Sequence, residues 1–418
     1  MPPYSLQSLT RLAVVRLGCR PLQFPLPQSL LIYYSLWWDD VGPIYSYVDG
    51  GGTPKLNIGD KVFPLDDALI HAAREGDLGL TELCKQLGAA SDNSDGMKDT
   101  STDVIDKAMA AAAGNGHEAV VRLCHSWGAD DVEWAMAAAA RQGYEAIVRL
   151  CHDDFHASDV NTAMAEAAKG GQKAIVRLCH DKWGAADVNR AMILAAGNGH
   201  EAIVRLCLEW GAYDVDWAMA RAAYYGQESL VRLCHNEWGA TNVNMAMVDA
   251  ASNGHETLVR LFREWGASDV KWAMSEAAGG GHEALVRLCH DEWGAADING
   301  AMARAAYFGH EAIVRLCHDE WHASDIICLN GAMAAAASGG QEAIVRLCHS
   351  WGADDVEWAM AAAARQGYEA IVRLCHDDFH ASDLNRAMAL AAEGDHEAIV
   401  RLCYDEWGAT DLNKVRLG

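Results

Sequence analysis

The chain has 418 residues, 51% of them hydrophobic, with 33 Lys+Arg against 58 Asp+Glu and a formal net charge of −25. Residues 1–60 carry four basic and four acidic side chains, so the whole imbalance lies downstream of them. An acidic chain repels phosphate backbones, which argues against nucleic acid as the main ligand and suits solubility and a basic partner.

Residues 1–60 stand outside the pattern of the rest. The first 38 contain no acid, carry Arg11, Arg16 and Arg20, and end in the uncharged run PLQFPLPQSLLIYYSLWW from Pro21 to Trp38. That run approaches the length of a membrane span, but Pro21, Pro25 and Pro27 break it as a helix, so no stable span is expected. We expect a poorly ordered or loosely packed leader over 1–60, with Trp37 and Trp38 resting on the first repeat. A targeting peptide is the alternative. Gly50 to Gly52, followed by Thr53 and Pro54, mark the boundary.

From residue 61 to 418 the chain rewrites one stretch, seen in full as DVNRAMILAAGNGHEAIVRLCLEWGA from Asp187 to Ala212. Its Ala-Met recurs at Met109, Met136, Met164, Met192, Met219, Met247, Met274, Met302, Met333, Met360 and Met388, in steps of 27 or 28 residues with one of 31. A divergent first copy begins at Ala68, giving twelve copies. A fixed period in this range marks a solenoid, in which each brick touches only its neighbours. Between the first two copies, SDNSDGMKDTSTD (91–103) reads as a surface insertion.

Each copy reads as two short helices. The first runs through Ala-Met-x-x-Ala-Ala and stops at a glycine such as Gly116, Gly199 or Gly254, a residue suited to positive φ. The second starts at an acid such as Glu118 or Glu201, which favours the helix dipole. Ile203, Val204, Leu206 and Cys207 form its apolar stripe, and Arg205 falls outside it into solvent. Trp-Gly-Ala ends it, with Gly211 a C-cap, and the next Asp or Asn supplies an N-cap.

Four of the 27-residue steps lead into a helix entered by a tryptophan: Trp134, Trp217, Trp272 and Trp358. The missing residue lies before Trp127, Trp210, Trp265 and Trp351, and the entering tryptophans are expected to fill the space so opened. The 31-residue step places an insertion around Ile326 to Asn330, expected to bulge. Residues Cys124 to Asp159 recur unchanged as Cys348 to Asp383, 224 residues later, as block duplication would leave them.

Eleven cysteines occupy one equivalent position, from Cys84 and Cys124 to Cys403, with Phe262 in their place once. Stacked helices lie roughly 8–10 Å apart, beyond the Cα separation of about 7 Å that a disulfide spans, so reduced thiols are expected. The Cys-His dipeptides do not read as metal sites, because adjacent helical residues point about 100° apart and metals need three or four convergent ligands. Histidines after the turn glycine (His117, His200, His255, His282, His310, His396) read as hydrogen-bonding turn residues, and the Trp before Gly-Ala as a plug between second helices. No phosphate loop, nucleophile–base pair or zinc pattern recurs, so neither catalysis, cofactor nor metal is expected.

Functional candidates are the first-helix positions that vary inside an otherwise fixed frame: Ile193, Leu194, Arg221, Tyr224, Tyr225, Asp249, Glu276, Arg304, Tyr307 and Phe308. Arg221-Tyr224-Tyr225 and Arg304-Tyr307-Phe308 have hot-spot composition.

The stretches ALIHAAREGDLGLTELCKQLGA and AxxGHEAIVRLCxEWGAxDVN resemble ankyrin repeats, over residues 61 to about 413. In style the array resembles those of large DNA viruses of protists. About five residues of the family period are missing between Asp-Val-Asn and Ala-Met. The resemblance therefore implies an all-α, ankyrin-like helix-turn-helix solenoid with shortened or absent β-hairpin fingers. It also implies noncovalent protein–protein interaction along the concave face that the first helices line. A substrate adaptor for a host ubiquitin ligase, or a structural or decoy array, is the alternative. Only NKVRLG follows Leu412, so the array reads as cut off at its next helix, and an adaptor would have to use the leader. A monomer in the cytoplasm, a host's included, completes the expectation.

Overall fold

The computed structural model describes residues 32–34, 45–48, 55–58, 61–87, 89 and 100–410. They fall into two compact units, Met1–Ala191 and Met192–Gly418, taken one at a time here.

The first unit opens with a small antiparallel meander in which Ile32–Tyr34, Tyr45–Val48, Lys55–Ile58 and Lys61–Pro64 pair in chain order. These strands lie in the stretch where sequence suggested little order, and the last two straddle the expected boundary at residue 60. The fourth strand runs into the helix Leu65–Glu75, with Leu56 buried and Phe63 stacked on His71 at 5.1 Å. The expectation for Trp37 and Trp38 lies outside the described residues, as do residues 91–99 of the polar insertion. Its remaining residues belong to the helix Thr100–Ala113.

Helix pairs then follow one another in this unit: Leu65–Glu75 with Leu78–Gln86, Thr100–Ala113 with Glu118–Ser126, Val132–Gln142 with Glu145–Asp154, and Val160–Lys169 with Lys173–Trp183. First helices pack on first helices and against their own second helices, making two layers. The second unit repeats the arrangement from Met192 onward, its first helices stacking from Val215–Tyr224 to Leu384–Glu393. Past the meander of the first unit, the helix pairs of each unit form an all-α helical solenoid. No strand intervenes between helix pairs among the described residues from 100 to 410.

Sequence explains the layers. The Ala-Met pairs and the Ala-Ala four residues on are fully buried, as with Ala218, Met219, Ala222 and Ala223, because alanine lets neighbouring backbones approach and methionine fills what remains. Opposite them, Ile203, Val204, Leu206 and Cys207 are buried while Arg205 is exposed, as the stripe requires. N-caps fall where expected: Asp131 accepts the Trp134 backbone N–H at 2.9 Å, and Asp297 and Asp355 do the same for Gly300 and Trp358. Gly116, Gly199 and Gly254 adopt φ of 85°, 81° and 77°, and Gly211 has φ 91°.

Two lengths of second helix reach the same joint. In the 27-residue copies the alanine after Trp-Gly donates its N–H to the carbonyl five residues back: Ala129 to Cys124, Ala212 to Cys207, Ala267 to Phe262, Ala353 to Cys348. In the longer copies the same carbonyl takes an N–H six residues away, as Ala157 to Cys151, Ala295 to Cys289 and Ala381 to Cys375. Several of these longer ends widen into a π turn, among them Leu150–Asp154, Leu288–Glu292 and Leu374–Asp378. A π turn is how a helix absorbs one extra residue. The 31-residue step does not bulge, contrary to expectation. It ends in the six-residue joint (Ala323 to Cys317), and its three further residues add almost a turn to the front of the helix Ile326–Ser338, capped by Asp325.

Polar rivets join successive copies within each unit. Three residues before the core methionine, one side chain accepts two backbone N–H groups from the next connection: Asp106 from Asp130 and Asp131, Asn161 from Ala186 and Asp187, and Asn244 from Ser268 and Asp269, each on a single oxygen, and Glu357 from Ser382 and Asp383 on its two oxygens. On the second-helix side, Arg122, Arg260 and Arg373 each bridge the glutamate four residues back and an acid of the following copy. These pairs are exposed and contribute little to stability beside the apolar core. No helix among the described residues is long and apolar enough to cross a membrane.

Candidate interaction face on the first helices

The groups that sequence set aside as structural are consumed by the frame. His255 donates from Nε2 to the Tyr224 carbonyl at 3.0 Å, and His310 to that of Gly279 at 2.8 Å, so the turn histidine belongs to the preceding copy's turn. A Cβ on Gly226 would lie 2.7 Å from the His255 ring, which with φ 73° reserves that position for glycine. The histidine of each Cys-His pair stacks on the next copy's plug: His152 on Trp183 at 4.0 Å, His318 on Trp351 at 3.9 Å, His349 on Phe379 at 3.8 Å. All twelve described cysteines are free and buried, and burial pushes thiols such as Cys207 and Cys289 up to about 12. A thiol held protonated is a poor nucleophile and a poor ligand. No group of three His, Cys, Asp or Glu side chains placed to hold a metal ion occurs among the described residues.

Among what the frame leaves exposed is a stripe on the first helices of the second unit. Residues two before, two after and five after the core methionine are spaced by four and three, so on one helix they share a face. On Val215–Tyr224 that stripe is Trp217, Arg221 and Tyr224, with Tyr225 beside it. Arg221 donates from Nη2 to the Tyr225 hydroxyl at 3.2 Å, and its guanidinium lies 4.9 Å from the Tyr225 ring centre and 5.5 Å from that of Tyr224. The two tyrosines meet edge to face at 5.0 Å. On Ile298–Phe308, Arg304 lies 5.5 Å from the Phe308 ring centre, and Tyr307 meets Phe308 edge to face at 4.9 Å. Both trios lean back over a glycine of the preceding helix, Gly197 and Gly279, where a Cβ would press on the arginine at about 3.0 Å.

Between the trios stand two acids on consecutive helices, Asp249 on Val243–Ser252 and Glu276 on Val270–Gly279. Glu276 is held by an ion pair to Arg304. Asp249 is half-buried and its carboxylate has no hydrogen bond among the described residues. Burial pushes it up to about 6, with the Arg221 charge pulling down and the Glu276 charge pushing further up. Eight of the ten positions singled out by sequence therefore lie on four consecutive helices. Ile193 and Leu194 are half-buried, apolar surface on Val188–Gly197 and join none of these ring or charge contacts.

Sequence reasoning misplaced the entering tryptophans. Trp134, Trp217, Trp272 and Trp358 are 44%, 59%, 55% and 45% exposed. About half of each side chain stands in solvent, and the shorter joint is closed by the five-residue backbone hydrogen bond; nothing in the joint explains why tryptophan accompanies it. They belong instead to the exposed stripe, and the spacing of Trp217, Arg221 and Tyr224 was the signal for that. Also missed was an open groove of about 810 Å³ further along the second unit, walled by Trp358, Arg365 and Arg386 and floored by Ala361, Ala362 and Leu390. Its lining occupies the same positions of the repeat.

Compared with known proteins, the chain matches no family model and no curated protein.

Proposed function

We propose that this chain is an ankyrin-like repeat protein that binds another protein noncovalently, through the concave face that the resemblance assigns to its first helices. The observation that carries the reading is the exposed stripe of the second unit. There Trp217, Trp272, Tyr225, Tyr307 and Phe308 stand 42–59% exposed at neighbouring positions of the repeat, whereas the most exposed apolar side chains elsewhere, Tyr213 and Ile327, lie near the helix starts. Arginine and aromatic side chains concentrate binding energy at protein interfaces. Here they are held in place before any partner arrives, which lowers the ordering cost of association. Within this proposal, the buried thiols and the turn histidines act structurally, and no covalent chemistry is performed.

The test is capture from lysate by the full chain and by a variant with Arg221, Tyr225, Arg304 and Phe308 replaced by alanine. Partners identified with the parent chain should lose about tenfold or more in affinity for the variant, whose circular dichroism and Tm stay close to the parent's. Undiminished capture by the folded variant would remove this face from the function.

A further inference from the structure

The row of residues five and six after the core methionine runs large, small, small, large across four consecutive helices. Tyr224 and Tyr225 stand at one side, Tyr307 and Phe308 at the other, with Ser252, Asn253, Gly279 and Gly280 between them. Four residues nearer the helix starts, Asp249 and Glu276 lie under that low strip. The arginines of the flanking trios are engaged, Arg221 on its tyrosines and Arg304 on Phe308 and Glu276, although the buried Arg304 Nε–H finds no acceptor among the described residues. Asp249 differs: its half-buried carboxylate lies between the Arg221 charge on one neighbouring helix and the Glu276 charge on the other, and among the described residues no hydrogen-bond donor reaches it. Charged groups taken out of water are ordinarily hydrogen-bonded, and this one is attracted by Arg221 without being bonded to it.

We propose that this part of the first-helix face receives an extended segment of a protein partner, whose lysine or arginine side chain enters between the two aromatic walls and pairs with Asp249 and Glu276. The inference rests on the protein-binding reading above and adds the chemistry of the partner. Three features favour a cation over an anion or a neutral chain. Asp249 accepts no hydrogen bond among the described residues and has a second acid beside it. The exposed ring of Trp217 is of the kind that accepts cations, as that of Trp272 already does from Lys271 at 5.0 Å. The chain as a whole carries −25, a field that draws basic segments toward it and repels acidic ones.

A pH dependence follows from the surroundings of Asp249. Its own helix packs on Val215–Tyr224, which presents Arg221, Tyr224 and Tyr225, and on Val270–Gly279, which presents Glu276. The second helix beneath it, Glu256–Glu264, spends its charges elsewhere: Arg260 on Glu256 and Glu292, Arg263 on the Ala267 carbonyl. With the free carboxyl pushed up to about 6, a bound cation favours the ionised form and releases a proton. Binding therefore tightens as pH rises through 6 and weakens as it falls.

The full-length chain, immobilised at pH 7.5, is offered a random 12-residue peptide library. Peptides retained by the parent but not by the four-alanine face variant define the face-dependent pool. We expect that pool to be enriched in lysine or arginine at one register. A fluorescent member of it should bind about tenfold or more weakly to Asp249→Asn/Glu276→Gln, and more weakly to the parent at pH 5 than at pH 7.5. Both substitutions keep side-chain shape, and the pH titration on the unaltered protein gives a second reading independent of any variant. A face-dependent pool without basic enrichment, or affinity unmoved by both the substitutions and pH, overturns the cation site while leaving the face as an interface. An empty face-dependent pool overturns the protein-binding reading on which it stands.

Discussion

At the scale of single residues, this chain separates side chains that hold the frame from those that do not, and the separation was only partly visible beforehand. The buried methionines, the glycines of positive φ and the aspartate N-caps could be read from recurrence, because each satisfies a need internal to its own copy. The rivets could not. Nothing in the spacing of Asn161 says that its side-chain oxygen will take the N–H groups of Ala186 and Asp187, since that partner exists only once the next copy has stacked. Asp106 shows what the rivet position tolerates. It is 7% exposed, and burial lifts its carboxyl above the ordinary value, with Asp131 and Asp130 N–H groups pulling back and their carboxylates adding to the rise. An acid whose folded pKa is raised costs stability as pH climbs through the unfolded and then the folded value. Asp106→Asn keeps the acceptor and removes the charge. Its Tm should exceed the parent's at pH 7 and converge with it below about pH 4, read by thermal denaturation across pH.

At the scale of the element, the second helix varies by one residue at its end, and the first helix gains residues only at its start, as Ile326–Ser338 does. Sequence gave the lengths correctly but assigned the wrong remedy, because it treated a missing residue as a missing volume. A helix end is a set of carbonyls in search of donors, and one carbonyl at the cysteine position is satisfied by an N–H either five or six residues on. The length difference is settled in the backbone, and the tryptophans are left free for the surface. Deleting Asp291 from Cys289-His290-Asp291-Glu292-Trp293 should convert a six-residue joint into a five-residue one. We expect the change in unfolding free energy to stay within about 1 kcal/mol, measured by urea denaturation. A loss of several kcal/mol would mean that the π turn itself is required.

At the scale of the molecule, the duplicated block is an internal control on how far structure is local. Cys124–Asp159 lies in the first unit and Cys348–Asp383 in the second, and most bonds among the 36 shared residues recur. Bonds to residues outside the block differ: Arg373 reaches Glu406 as well as Glu369, whereas Arg149 pairs with Glu145. His125 stacks on Phe155 as His349 does on Phe379, and Glu133 takes the Ser158 and Asp159 N–H groups as Glu357 takes those of Ser382 and Asp383. Neighbour-limited folding of this kind is what repeat arrays are expected to show. Removing residues 160–383 joins Asp159 to Leu384 in register. The shortened chain should stay helical with a lower Tm, since it keeps the brick and loses nearest-neighbour interfaces; loss of the far-ultraviolet helical signal would contradict this. The candidate face was legible as a set of varying positions. What surrounds Asp249, with Arg221 one copy before it and Glu276 one copy after it, was not, because it depends on side chains from copies some 28 residues apart in sequence. The contact of Arg221 with Tyr225, by contrast, follows the four-residue spacing within one copy.

A joint that closes equally over five or six residues has a bearing on how such a gene changes. Loss or gain of one codon at that place leaves both flanking helices in phase, so length drift there escapes selection against misfolding. The same tolerance marks the point between Cys-His and Trp-Gly-Ala as the natural seam for splicing a reporter residue or a crosslinker into the array, with the first-helix layer untouched.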